Sequence, residues 1–137
     1  MNYRFRFGPN QRRALVGALV AASFFLIEAG VIEILLGFDQ ECRSAVGNLR
    51  LAPDPFSVCM PEWEWMFLHS ASRGLPWMFN PSFPTLVAII AMGVVYSLIG
   101  AFSATTYKSK GIFFYLAVHV FLVAAIAGLS YLGKYIA

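Results

Sequence analysis

Charge is scarce in this chain. Of 137 residues only 12% are charged and seven are Asp or Glu, where an ordinary soluble domain carries roughly a quarter charged residues. The motifs that announce a reaction are missing too. There is no Gly-rich phosphate loop, no H-E-x-x-H and no nucleophile elbow, which removes the common phosphoryl-transfer, zinc-protease and esterase classes. Two cysteines and two histidines form no cluster with metal-ligand spacing. No internal repeat points to a transporter built from inverted halves. The ten Lys and Arg residues do not cluster with base-stacking aromatics, so no nucleic-acid partner is expected.

What fills the chain instead is apolar surface. Hydrophobic types make up 59%, aromatics 16%, and thirteen residues are Phe. A soluble protein of this length cannot hide so much apolar area; a bilayer can. Three segments, 14–38, 81–104 and 111–133, exceed the ~20 residues a helix needs to cross ~30 Å of hydrocarbon. The expected fold class is an all-α integral membrane protein of one domain: three transmembrane helices and a long outer loop containing a short interfacial helix. The first run lacks a small-x-small cleavage site, so a retained helix rather than a secretory signal is expected.

Charge asymmetry orients the segments. The arm 1–13 carries Arg4, Arg6, Arg12 and Arg13, and the short loop 105–110 carries Lys108 and Lys110, with no acid in either. The loop 39–80 sets Arg43, Arg50 and Arg73 against Asp39, Glu41, Asp54, Glu62 and Glu64. Basic short loops stay inside. The expected location is an inner membrane, cytoplasmic or organellar, with the N-terminus inside and both the loop 39–80 and the tail 134–137 outside. Cys42 and Cys59 then share the oxidising side, where a bridge closing about 18 residues would contribute roughly 3 kcal/mol.

Within the loop, "PEWEWMFLHSASRG" (61–74) reads as a short helix, with Pro61 first and Gly74 as its cap. Glu62, His69 and Arg73 share one face of it, away from Trp63, Phe67 and Leu68. The following "LPWMFNPSFP" reads as extended, with Asn80 capping the next helix. Small-residue rows at Ala14, Ala18 and Ala22, and at Gly93, Ser97 and Ala101, are candidate helix–helix seams.

Four ionisable residues invite a functional reading. His119 lies deep in the third segment and is either hydrogen-bonded to a hydroxyl of the bundle or an axial ligand to a chlorophyll magnesium or haem iron. Glu33 sits close enough to the outer boundary to reach water. Glu28 is deeper, about 140° around the helix from Glu33, and finds no donor at its own level of this chain, His119 being about 9 Å lower. Its expected partner is a donor on another subunit or a bound cofactor. His69 has its place on the outer helix.

These readings lead to an expected role as a non-catalytic accessory subunit of a larger membrane complex, respiratory or photosynthetic in setting. Its partners would be other integral membrane subunits and the lipid bilayer, with bound lipid expected. Glu28, Arg4, Arg6, Trp63 and Phe67 are the expected assembly contacts. The competing expectations are a pigment- or haem-binding antenna or electron-transfer subunit using His119, and a small proton- or ion-conducting protein using Glu28.

Overall fold

The computed structural model describes residues 7–49 and 58–136; Arg4 and Arg6, two of the expected contacts, lie outside them. Among the described residues the chain is helical throughout: α1 (Pro9–Leu49), α2 (Glu62–Phe79), α3 (Thr85–Tyr107), a 3-10 turn (Lys108–Lys110) and α4 (Gly111–Ile136). Two runs, Pro9–Asn48 and Thr85–Ile136, are long and apolar enough to cross a membrane. The second contains both α3 and α4, folded back on each other at Lys108, whose φ of 49° is a conformation glycine favours and lysine adopts at a cost.

Pro9 starts α1 where its missing N–H is harmless. Gln11 accepts a bond from the Gly8 N–H at 2.9 Å, in the manner of a capping box. The helix then runs for 41 residues, about 60 Å, well past the expected end at Phe38. The next turn is held by Asp39 and Arg43, four apart and 2.5 Å from each other, and by the burial of Val46. The first eleven residues of the expected outer loop are therefore helix.

α1 and α3 run antiparallel and touch through their backbones. A Cβ placed on Gly17 would strike the Gly100 carbonyl and Ala104, and one placed on Gly100 would strike Ala21 and the Gly17 carbonyl. The true seam is Gly17–Ala21 against Gly100–Ala104. Of the expected rows, Ala14/Ala18/Ala22 and Gly93/Ser97/Ala101, Gly93 shares the seam's face on α3 and meets Phe25 of α1, and Ala14, seven residues before Ala21, shares its face on α1. α4 starts against the end of α3, where Gly111 leaves room for the Ser103 carbonyl. It stands farther from α1, and the space between holds Phe25, Tyr96 and Tyr115, all buried.

α2 differs from its expected form. Gly74 adopts φ 54°, ψ −139° and kinks the element rather than ending it; a Cβ there would meet the Met92 side chain. Beyond the kink Leu75–Phe79 is helical, not extended, with Pro76 near the start of that second limb, where proline is tolerated. Asn80 does not cap α3. Its side chain accepts from the Ser82 N–H at 3.1 Å and its carbonyl from Phe83 N–H at 2.9 Å, making a turn, and α3 begins only after Pro84.

The seam can be tested by adding bulk. Gly17→Leu or Gly100→Leu should force the two helices apart and lower stability by about 1–3 kcal/mol. Gly30→Leu, which meets no atom within 4 Å, should be close to neutral. Thermal unfolding in detergent followed by circular dichroism reads the difference.

Candidate functional site

The polar groups that could carry chemistry gather in two places between the helices. The first is the gap between α1 and α4. His119 is buried, and its Nε2 stands 2.6 Å from Glu28 Oε2. The two atoms are close but lie off the hydrogen-bond axis, so the contact is a close polar approach rather than an aligned bond. The imidazole lies against the Tyr96 ring at 4.2 Å and meets Phe24 edge-on at 5.5 Å. Its Nδ1 is 3.5 Å from the Tyr115 hydroxyl, which donates to the Ala21 carbonyl at 3.3 Å. Tyr96 offers its ring face only; its hydroxyl has no partner among the described residues.

This corrects the expectation that Glu28 finds no donor in its own chain. Levelling Ala14 with Gly111 places His119 too low. In the structure Gly17 and Gly111 line the same cleft, so α4 rides about three residues higher, roughly 4.5 Å. The glutamate side chain spans the rest. Among the hydroxyls of the bundle, Ser23 is exposed and Ser97 bonds back to the Gly93 carbonyl at 2.7 Å; Tyr115, one turn below the histidine, is the one within reach. A haem or chlorophyll does not fit this histidine. Its ring is enclosed by aromatic neighbours, and one nitrogen faces the carboxylate while the other faces a hydroxyl.

The second place is the end that carries the cysteines. Cys42 and Cys59 are joined. Next to them Asp39 is buried with both oxygens occupied: Oδ2 takes Arg43, and Oδ1 accepts the Met60 N–H at 2.9 Å. Arg43 also donates to the Met60 carbonyl at 3.0 Å. Covalent bond, ion pair and two backbone bonds thus fix the returning chain to α1 before α2 begins.

α2 then turns its charged face inward. Arg73 grips Glu33 through Nε at 3.0 Å and Nη2 at 2.9 Å, and Ser72 donates to the same carboxylate at 2.8 Å. Glu62 pairs with Lys134 of α4. Glu33 is therefore a cross-link between α1 and α2, not the free interfacial charge that its depth alone implied. His69, buried between Trp65 and Trp77 with ring separations of 4.2 and 5.1 Å, faces the Trp65 carbonyl at 2.8 Å through Nδ1. A carbonyl only accepts, so Nδ1 carries the proton. Burial holds this imidazole below its usual range, the Arg73 guanidinium adds to the effect, and the bond to Trp65 partly opposes it. Trp63 and Phe67, by contrast, point away from the bundle and are exposed.

No protein-family model, curated protein or solved structure matches the chain. Among the described residues no group of three or more His, Cys, Asp or Glu side chains could hold a metal ion. The arrangement clamps helices together: Glu33 and Asp39 line a space of about 350 Å³ beside His69, but each is held there by an arginine, Arg73 and Arg43.

Two experiments follow from these contacts. Glu28→Leu and His119→Leu should each destabilise the fold by about 1–3 kcal/mol, because each leaves the other polar group without its partner across the gap. The double variant should cost less than the sum, as in-contact pairs do, and thermal melts of the four proteins measure the coupling. The His69 environment sets a pH dependence. An unfolded chain protonates near the ordinary value of 6.5, while the folded chain resists protonation until lower pH. Acid therefore favours unfolding, and this contribution, present above about pH 6.5, is lost as pH falls. The melting temperature should drop between pH 7.5 and 5, and His69→Gln should flatten the slope.

Proposed function

We propose that the chain is a non-catalytic structural subunit of a larger membrane-protein assembly, embedded through α1, α3 and α4. The observation that carries this reading is an inversion of the usual distribution of side chains. The polar groups are turned onto each other inside, while only about a fifth of the most apolar stretch of each run is buried and large side chains such as Ile27, Leu98 and Phe121 face outward. Water does not stabilise such a surface; lipid and neighbouring helices do. The basic end, with Arg12, Arg13, Lys108 and Lys110, belongs on the inner side and the disulfide end on the outer side.

The role as a subunit rests on α2. This element is fixed to α1 through Glu33–Arg73 and to α4 through Glu62–Lys134, so its other side is a firm platform. That side carries Trp63 at 65% and Phe67 at 43% exposure, with Phe79 at 78% beyond the kink. Rigid aromatic side chains held outward are the residues that dominate protein interfaces. Glu28 is a weaker candidate for assembly than for internal support, since its carboxylate is already engaged by His119.

A photo-crosslinking residue in place of Trp63 or Phe67, expressed in native membranes, should give one discrete adduct with another membrane protein. The same residue in place of Leu98 on α3 should give lipid adducts. If the α2 positions also yield lipid alone, the chain does not dock through this face and the subunit reading fails.

A further inference from the structure

The basic end of the bundle contains a cleft that the clamps and the outer platform do not use. Because α4 stands off α1, a blind-ended space of about 180 Å³ opens between Val16 and Val20 on one side and Ile112 and Tyr115 on the other. Its floor is the Gly17–Gly100 contact, and its deep end is closed where Tyr115 bonds to Ala21. A wider space of about 480 Å³ continues it outward past Val16 and Ala104 to Arg12, Arg13, Lys108 and Ser109. The apolar part and the cationic mouth are one continuous surface.

Among the described residues no acid neutralises the charges at this mouth. The described acids, Glu28, Glu33, Asp39, Glu41, Glu62 and Glu64, lie toward the other end of the bundle. Arg12, Arg13 and Lys108 are exposed and form no ion pair among the described residues. Lys108 is also held at a positive φ, so the turn keeps its backbone beside the opening at a conformational cost. From Arg12 to Val20 is eight residues, about 12 Å along the helix, which separates the charged and apolar parts as a lipid headgroup is separated from its chain.

We propose that this cleft binds an anionic glycerophospholipid of the inner leaflet. Arg12, Arg13 and Lys108 hold the phosphate, Ser109 adds a hydroxyl, and one acyl chain enters between α1 and α4 over Gly17. Charge complementarity selects the anion, and the apolar walls select a lipid over a free phosphate. The inference rests on the membrane placement proposed above, but it can fail separately.

The test uses the full chain reconstituted in nanodiscs of phosphatidylcholine, with or without phosphatidylglycerol, and reads melting temperature and lipids retained in native mass spectra. Phosphatidylglycerol should raise the melting temperature and be retained preferentially. Arg12→Gln, Arg13→Gln and Lys108→Gly should each weaken that preference about fivefold. Lys108→Gly removes charge while relieving the backbone, so its loss of lipid cannot be ascribed to misfolding. Ile112→Trp, which fills the cleft without altering charge, should abolish retention. Equal retention of both lipids overturns the site. So does loss of preference in the charge variants with none in Ile112→Trp, which would mean attraction to the charged surface without a seated chain. Stabilisation by inorganic phosphate equal to that by phosphatidylglycerol overturns the lipid assignment. Failure of the chain to enter nanodiscs would instead count against the membrane placement.

Discussion

The backbone contact between Gly17 and Gly100 sets the spacing on which the rest of the bundle depends. α1 and α3 meet without side chains between them, and α4, which meets α3 closely only at Gly111, carries Tyr115 and His119 toward α1. α4 is therefore displaced from α1, and the gap must be filled by large groups. Phe25, Tyr96, Tyr115 and His119 fill it in the middle. Toward the basic end no side chain is large enough, and the cleft remains. Replacing either glycine would thus disturb more than one seam, because the position of His119 against Glu28 follows from the same spacing.

Electrostatics then decides what the interior can do. A carboxylate removed from water needs a cation or several donors to remain charged. Glu33 receives three donated bonds from α2, and Asp39 receives its bonds from Arg43 and Met60. Glu28, about a quarter exposed, is served by His119. A group so engaged is a poor general base, since proton transfer must first break the contact that holds two helices in place. A network of this kind contributes position and rigidity, which is what a structural element requires.

Much of this was legible in the sequence, and the parts that were not share a cause. The apolar runs, the turn at Lys108 and the pairing of Cys42 with Cys59 follow from composition and spacing within single segments. The partners of Glu28, Glu33 and Glu62 do not, because they depend on the axial offset between helices. That offset is fixed by which small residues meet, and Ala14/Ala18/Ala22 and Gly17/Ala21 are equally plausible rows until the helices are packed. A shift of three residues was enough to hide His119 from Glu28. The kink at Gly74 was obscured in a similar way: glycine followed by proline reads as a stop, and only contact with Met92 shows why the chain turns there and resumes its helix. Asp39 and Arg43, four apart, were a helical signal visible in the sequence. The acidic character of the segment drew the boundary at Phe38 instead.

The two ends of the bundle are consequently held by different forces. At the disulfide end a covalent bond, the Glu33–Arg73 and Glu62–Lys134 pairs and the Asp39 bonds to Met60 and Arg43 join α1, α2 and α4, so that end carries its own counter-charges. At the basic end the helices are joined by close packing and by the Tyr115 bond to Ala21, while Arg12, Arg13 and Lys108 gather at one mouth with no acid among the described residues beside them. Like charges brought together raise the energy of the isolated chain, and any anion seated beside them offsets that term. The stability of this end therefore belongs partly to its surroundings. A helix bundle built this way has fixed geometry where it presents Trp63 and Phe67, and is held by fewer cross-links where α1 and α4 part.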